Sequence, residues 1–334
     1  GELPGLTGPR LALDGAVVSG LLPGGHGYLA ITRLAGFAED RDTEERLLAD
    51  ALDDALGSLA EVPGLVIDLR TNRGGRESLA LLVASRFVTA DTVVATREVR
   101  VGGTDRYVGA GDVVVSPLPT GAFPVSVAVL TGPATAGAAE LLVLALGEAG
   151  AMLVGERTAG SLSPLLVREL PNGWNLGLSH QRVVDSEGTW WEVVGLPVDL
   201  LAEGVATADH DPVIEAATAF WSPDDPARFC EVTRELEEVG DPFSLPPEQA
   251  EPLARRFLDL ITEAHRVAPP EIRRQVGLVA TGYADLFPDY EAAGFDATRL
   301  DDERIAALFR DDEDIQAARD QGEIPIEDWE AANC

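Results

Sequence analysis

Two short apolar runs in this chain each end in a glycine-bearing turn that leads into a helical stretch. Leu65-Val66-Ile67-Asp68-Leu69 passes through Arg70-Thr71-Asn72-Arg73 to Gly74-Gly75, and residues 77–88 follow with helical spacing. Residues 125–130 feed Thr135-Ala136-Gly137-Ala138-Ala139-Glu140, which opens a helical stretch over 136–147. Gly155-Glu156-Arg157-Thr158-Ala159-Gly160 comes fifteen residues after Glu140, behind a short strand at 152–155. Apolar runs alternating with crossover helices fit an α/β core.

The remaining segments extend that reading. Residues 1–26, rich in Gly, Pro and Leu, read as a lead-in arm, and 27–32 as the first core strand. Residues 43–59 have helical periodicity, with Thr43 as the expected N-cap and acidic residues in the first turn. Strands are expected at 93–101 and 107–115. Residues 165–170 and 174–184 are expected to pair across Pro171-Asn172-Gly173, because Asn-Gly favours a hairpin turn. Residues 211–220 read as the helix that closes the core, which then spans 27–221. Residues 222–229 read as a linker and 230–334 as a small α-helical domain. Its expected helices are 253–267 and 271–286, separated by Pro269-Pro270, and short acidic ones at 304–310 and 314–319.

Composition narrows the functional classes. The chain has 334 residues, which favours two domains. It carries 57 acidic and 25 basic residues, for a net charge of −32, and every basic residue is arginine. Such acidity argues against nucleic acid and anionic membranes as partners. No apolar run has the length of a membrane span. The chain starts at Gly1 and its only methionine is Met152, which reads as a processed or trimmed first residue. Cys230 and Cys334 bracket the helical segment, which suggests a disulfide and a secreted or cell-envelope location; a pair of free thiols is the alternative. Two cysteines and four scattered histidines lack the spacing of a metal site, and no cofactor is expected.

The three glycine-bearing segments together resemble the core of the tail-specific (C-terminal-processing) serine peptidases, which include tricorn-type and interphotoreceptor-retinoid-binding-protein-like members. The family patterns run close to Asp-Leu-Arg-x-Asn-x-Gly-Gly, Thr/Ser-Ala-Ser-Ala-x-Glu and Gly-Glu-x-Thr-x-Gly. The resemblance implies a Clp-protease/crotonase-like ββα superhelix for the core. It puts Gly137 in the nucleophile slot and Ser161 at or near the slot of the activating lysine, a residue this chain lacks altogether. It implies an oxyanion hole from the N–H of Ala138 and the Gly74-Gly75 turn, where glycine allows close backbone approach.

Other residues have implied or alternative roles. Glu140 matches the family glutamate after the serine, and equally suits a helix first turn. Glu192 is a candidate for the carboxylate near the Gly-x-x-Pro-Asp segment. Thr135, Ser161 and Ser163 are the hydroxyls available to a relocated nucleophile, and Thr135 is also a candidate helix cap. Asn72 and Arg70 are expected to hold the glycine turn, with Asp68 or Glu156 as partners of Arg70. Arg73 and Arg76 are placed to attract a carboxylate, or simply to be solvated. Among the histidines, His26 is the one that precedes the core, His180 lies on a strand, His210 heads the closing helix and His265 belongs to the helical domain.

Three functional readings result. The first is a pseudopeptidase that binds an unfolded or extended polypeptide, or a protein's C-terminus, by strand addition. The second is an active serine endopeptidase with a rearranged site. The third is a ligand carrier or scaffold, which the low aromatic content of 6% supports little.

Overall fold

The apolar runs are strands buried on both faces, and they pair in parallel. The computed structural model describes residues 5–204, 206–207, 210–219, 221, 226–300 and 325–334. It divides into two compact units, one of residues 1–198 and 202–218, the other of 199–201 and 219–334.

In the first unit β3 (Gly27–Ile31), β4 (Leu65–Asp68), β7 (Val127–Thr131) and β8 (Met152–Gly155) lie side by side in that order. All three pairings are parallel, with Gly27 opposite Leu65, Leu65 opposite Val127 and Ala128 opposite Met152. Parallel neighbours need crossovers. These are supplied by α1 (Arg41–Ser58), α2 (Glu77–Ala84) and α3 (Ala138–Glu148). α1 packs on α2, and α2 on α3. Leu48, Leu52, Leu79, Val83, Leu142 and Leu146 from these helices meet Leu29, Ile67 and Val129 of the sheet in one core. The unit is therefore α/β, as its alternating pattern predicts.

The expected lead-in arm is part of this sheet. β1 (Thr7–Ala12) and β2 (Val17–Leu21) form a hairpin whose second strand pairs antiparallel with β3. Leu13 and Asp14 both have positive φ (51° and 54°), and the Gly15 N–H donates to the Ala12 carbonyl. That is the type I′ geometry whose twist suits a hairpin. The cap of α1 is Asp40 rather than Thr43: the Asp40 carboxylate accepts from the Thr43 N–H at 2.8 Å, so Thr43 lies inside the helix.

A second sheet holds β5 (Thr92–Arg100), with β6 (Tyr107–Val115) on one side and β11 (Arg182–Asp185) on the other. The expected strand 174–184 is thus divided. β9 (Leu165–Glu169) and β10 (Asn175–Ser179) pair across the Asn-Gly turn, whereas Val183 and Val184 turn away to β5 and bury their side chains there. The unit's last helix is α4 (Pro212–Ala219).

The second unit is helical. α5 (Pro226–Val239), α6 (Pro247–Val267), α7 (Pro270–Ala292) and α8 (Ile326–Asn333) enclose Phe229, Val232, Leu260, Ile272, Val276 and Trp329. Cys230 and Cys334 are joined, with Cα atoms 5.4 Å apart. The expected helices at 304–310 and 314–319, and most of the expected linker, lie outside the described residues.

Candidate active site

Loops that leave the carboxyl ends of β3, β4, β7 and β8 converge on one place, the end of a parallel sheet at which ligands generally bind. Asn72 ties three of them together. Buried, it donates from Nδ2 to the Ile31 carbonyl (2.8 Å), accepts at Oδ1 from the Gly74 N–H (2.8 Å), and its carbonyl accepts from Ala136 N–H (3.0 Å). Leu34 clamps the glycine turn from the β3 side. Its N–H donates to the Gly74 carbonyl (3.0 Å) and its carbonyl accepts from Arg76 (2.7 Å).

Gly74 touches the Gly137 turn directly. A Cβ on Gly74, which has φ +87°, would lie 2.5 Å from the Ala136 carbonyl oxygen and 2.9 Å from the Ala138 nitrogen, so no side chain fits. This contact brings the N–H groups of Gly75 and Ala138 to adjacent turns. Neither has an acceptor among the described residues. Ala138 is the first residue of α3, where the helix leaves an N–H free and its dipole favours negative charge.

Gly137 adopts φ 59° and ψ −121°. This conformation strains an ordinary residue. A Cβ there would nevertheless meet nothing closer than the Ser161 carbonyl oxygen, at 3.8 Å. The backbone at this slot thus leaves room for a side chain.

Glu140 holds the turn in shape. Its fully buried carboxylate accepts at Oε2 from the N–H groups of Gly137 (2.9 Å) and Ser161 (2.8 Å). At Oε1 it accepts from Thr158 Oγ1 (2.5 Å) and Gly160 N–H (2.7 Å). One carboxylate therefore fixes both the helix entry and the loop after β8. Thr135 is buried nearby, but its hydroxyl donates to the Leu69 carbonyl (2.9 Å) and accepts from Gly132 N–H (3.1 Å). It joins β4 to β7 and does not cap α3. Ser161 is exposed. Ser163 and Glu192 form a neighbouring contact: Glu192 accepts from Ser163 N–H (2.9 Å) and from Ser179 Oγ (3.5 Å).

The charged groups around the turn are mostly paired. Arg70 binds Asp68 (2.7 Å) and Asp211 (2.9 Å), and Tyr28 donates to Asp68 at 2.8 Å. Asp211, rather than Glu156, is thus the second carboxylate on Arg70. Burial pushes the Asp211 carboxyl up, but Arg70 and the N–H groups of Val213 and Ile214 hold it below the usual carboxylate range. Burial and the neighbouring Asp68 raise the Tyr28 phenol, so its proton stays on. Arg76 pairs with buried Glu44 (2.5 Å), which also accepts from the N–H groups of Gly36 and Phe37. Arg73 is exposed beside Gly74, with no ion-pair partner among the described residues. Asp211 and Glu44 are the members that sequence reasoning missed. Asp211, followed by proline, reads as a helix cap, and Glu44 as one more first-turn acid; only the tertiary fold gives each its arginine.

Among the described residues, the hydrogen bonds and ion pairs of this network involve no histidine side chain. His26 precedes β3 and so sits at the amino ends of the parallel strands, whereas the glycine turns sit at their carboxyl ends. His180 bonds through Nδ1 to the Pro164 carbonyl (2.9 Å), and His210 to Glu215 (2.8 Å). His265 is in the core of the second unit. At the amino end of β7, a separate cavity of about 570 Å³ is lined by Phe87, Phe123, Val125 and Leu146. Among the described residues there is no acid, histidine or cysteine cluster able to hold a metal, and no helix long and apolar enough to cross a membrane.

Residues 25–201 match the family model of peptidase family S41. Among solved structures, a "putative peptidase" from Parabacteroides merdae ATCC 43184 is similar at 24% identity and TM-score 0.55, over 66% of this chain and 68% of that one. The photosystem II D1 C-terminal processing protease is similar at 22% identity and TM-score 0.44, over 59% of this chain and 48% of that one. Mature CPAF, solved with lactacystin, is similar at 13% identity and TM-score 0.48, over 60% and 52%. This chain thus spans about half the length of the latter two. The family match takes in more than half of the residues, from β3 through both glycine turns and on past β11: the chain belongs to peptidase family S41.

Proposed function

We propose that this protein is a secreted or cell-envelope pseudopeptidase that holds an extended polypeptide, or the C-terminus of one, without cutting it. The observation that carries the reading is Gly137. Covalent catalysis needs a hydroxyl or thiol beside a base. The slot that resemblance gives to the nucleophile has no side chain, and the slot of the activating lysine is Ser161. The turns around them are held by hydrogen bonds to Asn72 and Glu140. Ala138 and Gly75 offer two N–H groups to a carbonyl or carboxylate oxygen, and Arg73 adds a cation beside them. Strand addition is the mode of recognition, with backbone hydrogen bonds giving affinity. The disulfide supports an oxidising compartment.

The rival, an active endopeptidase with a relocated nucleophile, draws little support from Thr135, whose hydroxyl proton is engaged by the Leu69 carbonyl. The carrier reading has one observation in its favour, the cavity beside Phe87 and Phe123.

The test uses the full-length protein and a Gly137→Ser variant. The variant is expected to fold, with a strain cost of about 1–2 kcal/mol from positive φ. The parent protein is expected to leave casein intact. It is also expected to bind a fluorescent extended peptide ending in a free carboxylate more tightly than the same peptide ending in an amide. Casein cleavage by the unmodified protein that disappears in Ser161→Ala or Ser163→Ala would overturn the pseudopeptidase reading.

A further inference from the structure

The turn that follows Trp191 carries a residue whose type does not suit its backbone. The Val194 N–H donates to the Trp191 carbonyl at 3.2 Å, so residues 191–194 form a tight turn. Val193, the third residue of that turn, has φ 73°. Left-handed backbone at this place calls for glycine or asparagine, and a β-branched side chain there is a genuine outlier. Such conformations persist only where the surroundings impose them, and they collect at ligand-binding sites.

The surroundings do impose this one. The Val193 N–H donates to the Gly160 carbonyl (2.8 Å), and the Gly195 N–H to the Trp191 carbonyl (2.9 Å). A Cβ on Gly160 would lie 2.8 Å from the Val193 nitrogen and 2.7 Å from the Gly195 nitrogen, so the two loops meet backbone to backbone. Leu196 and Thr158 exchange two further hydrogen bonds, and Glu192 accepts from the Ser163 N–H. Trp191 packs on the main core and donates from Nε1 to Asp185 at 2.7 Å. The loop of residues 158–161 is in turn fixed to the Gly137 turn by Glu140, and the Ser161 carbonyl oxygen lies 3.8 Å from where a Cβ on Gly137 would be. Val193 is therefore positioned by the same framework that shapes the candidate site.

Its side chain does little for the protein itself. Val193 is 85% exposed and Val194 59%. An exposed valine is ordinary in isolation, but this one strains its backbone and buries almost no apolar surface. Glycine at the same place would keep each of the turn's backbone hydrogen bonds and remove the strain. The N–H groups of residues 193–195 and the Glu192 carboxylate are all engaged within the protein. What the two valine side chains offer to a ligand is methyl groups.

We propose that Val193, with Val194 beside it, forms an apolar subsite that selects a large apolar side chain of the polypeptide held at the Gly137 pocket. The proposal rests on the polypeptide-binding reading and adds a specificity to it. The N–H groups of Gly75 and Ala138 take a carbonyl or carboxylate oxygen, and Val193 takes a side chain. Successive side chains of an extended peptide point to opposite sides, so anchoring one of its oxygens fixes which of them meets the adjoining loop.

Fluorescence anisotropy on the full-length protein tests it, with fluorescein-labelled octapeptides of Gly and Ser that carry a single Leu, moved one position at a time. One Leu position is expected to bind about tenfold more tightly than the peptide without Leu, as burial of part of one such side chain gives. Val193→Asn suits positive φ and is expected to remove most of that gain, while affinity for the Gly/Ser peptide stays as in the parent protein. Val193→Gly is expected to do the same and to melt no lower than the parent, because it removes strain and almost no packing. A Leu gain that survives in both variants overturns the proposal. So does a lost gain accompanied by a fall in melting temperature, which would make Val193 a packing residue of the turn. A parent that prefers no Leu position, yet binds a free carboxylate more tightly than an amide, overturns this proposal alone. A parent that binds none of the peptides overturns it together with the polypeptide-binding reading.

Discussion

Glu140 concentrates four hydrogen bonds on one carboxylate, one from the Gly137 turn and three from the loop of residues 158–161. A carboxylate can accept all four, whereas a carboxamide has one acceptor oxygen and turns two donors toward N–H groups that have no other partner. Glu140→Gln is therefore expected to destabilise the first unit by about 3 kcal/mol. Denaturant unfolding against the parent protein measures this, and a loss below about 1 kcal/mol would show that water replaces the carboxylate easily. In the sequence, Glu140 reads as a family position or as a helix first-turn acid. Its partners Thr158, Gly160 and Ser161 lie some twenty residues on, and no local pattern gives them away. The glycines were more legible, because a glycine pair that ends an apolar run has few other uses. Even so, the sequence does not say that Gly74 must be bare on account of the Ala136 carbonyl beneath it.

Helices and central strands follow closely from periodicity, and the elements that do not are the ones whose partners are remote. β1 and β2 look like an irregular arm because Thr7–Ala12 carries Gly8 and Pro9 and lacks alternation; pairing with β3 makes the strands. β11 leaves the second half of the expected hairpin because Val183 and Val184 are buried only against β5. In the second unit the α6–α7 packing places the His265 imidazole against Gly277, where an added Cβ would lie 2.6 Å from Nε2. Burial, together with nearby Arg273, lowers His265 to about 4 from the ordinary 6.5. Above pH 6.5 the ring is neutral whether the unit is folded or not. As pH falls from 6.5 toward 4 the unfolded state takes up the proton first, so stability drops over that window, by about 3 kcal/mol when complete. Thermal melts of the parent protein and of His265→Leu across this range check the sign: the parent is expected to lose stability with acid more steeply than the variant. Parallel slopes would remove His265 as the cause.

At the scale of the whole molecule, charge and one covalent bond set the terms. A disulfide between residues 104 apart restricts the unfolded state of the helical unit, and the chain-entropy relation gives about 4–5 kcal/mol for a loop of this size. Cys230→Ala/Cys334→Ala is expected to lower the unfolding transition of the second unit by that order while sparing the first. Calorimetry of the two forms reads it directly, and an unchanged second transition would mean that the helix packing around Phe229 and Trp329 suffices. The two cysteines, the acidic balance and the absence of lysine were all legible in composition.

The Arg70–Asp211 pair has a bearing on how such a protein is made. Asp68 and Arg70 leave the ribosome early, yet the second carboxylate that binds this guanidinium is encoded 141 residues downstream. Until it emerges, Arg70 beside the glycine turn has Asp68 alone of the two carboxylates it holds in the folded protein. A nascent polypeptide lays down its central strands in order, but this ion pair at the end of β4 is completed only when the last helix of the first unit is synthesised.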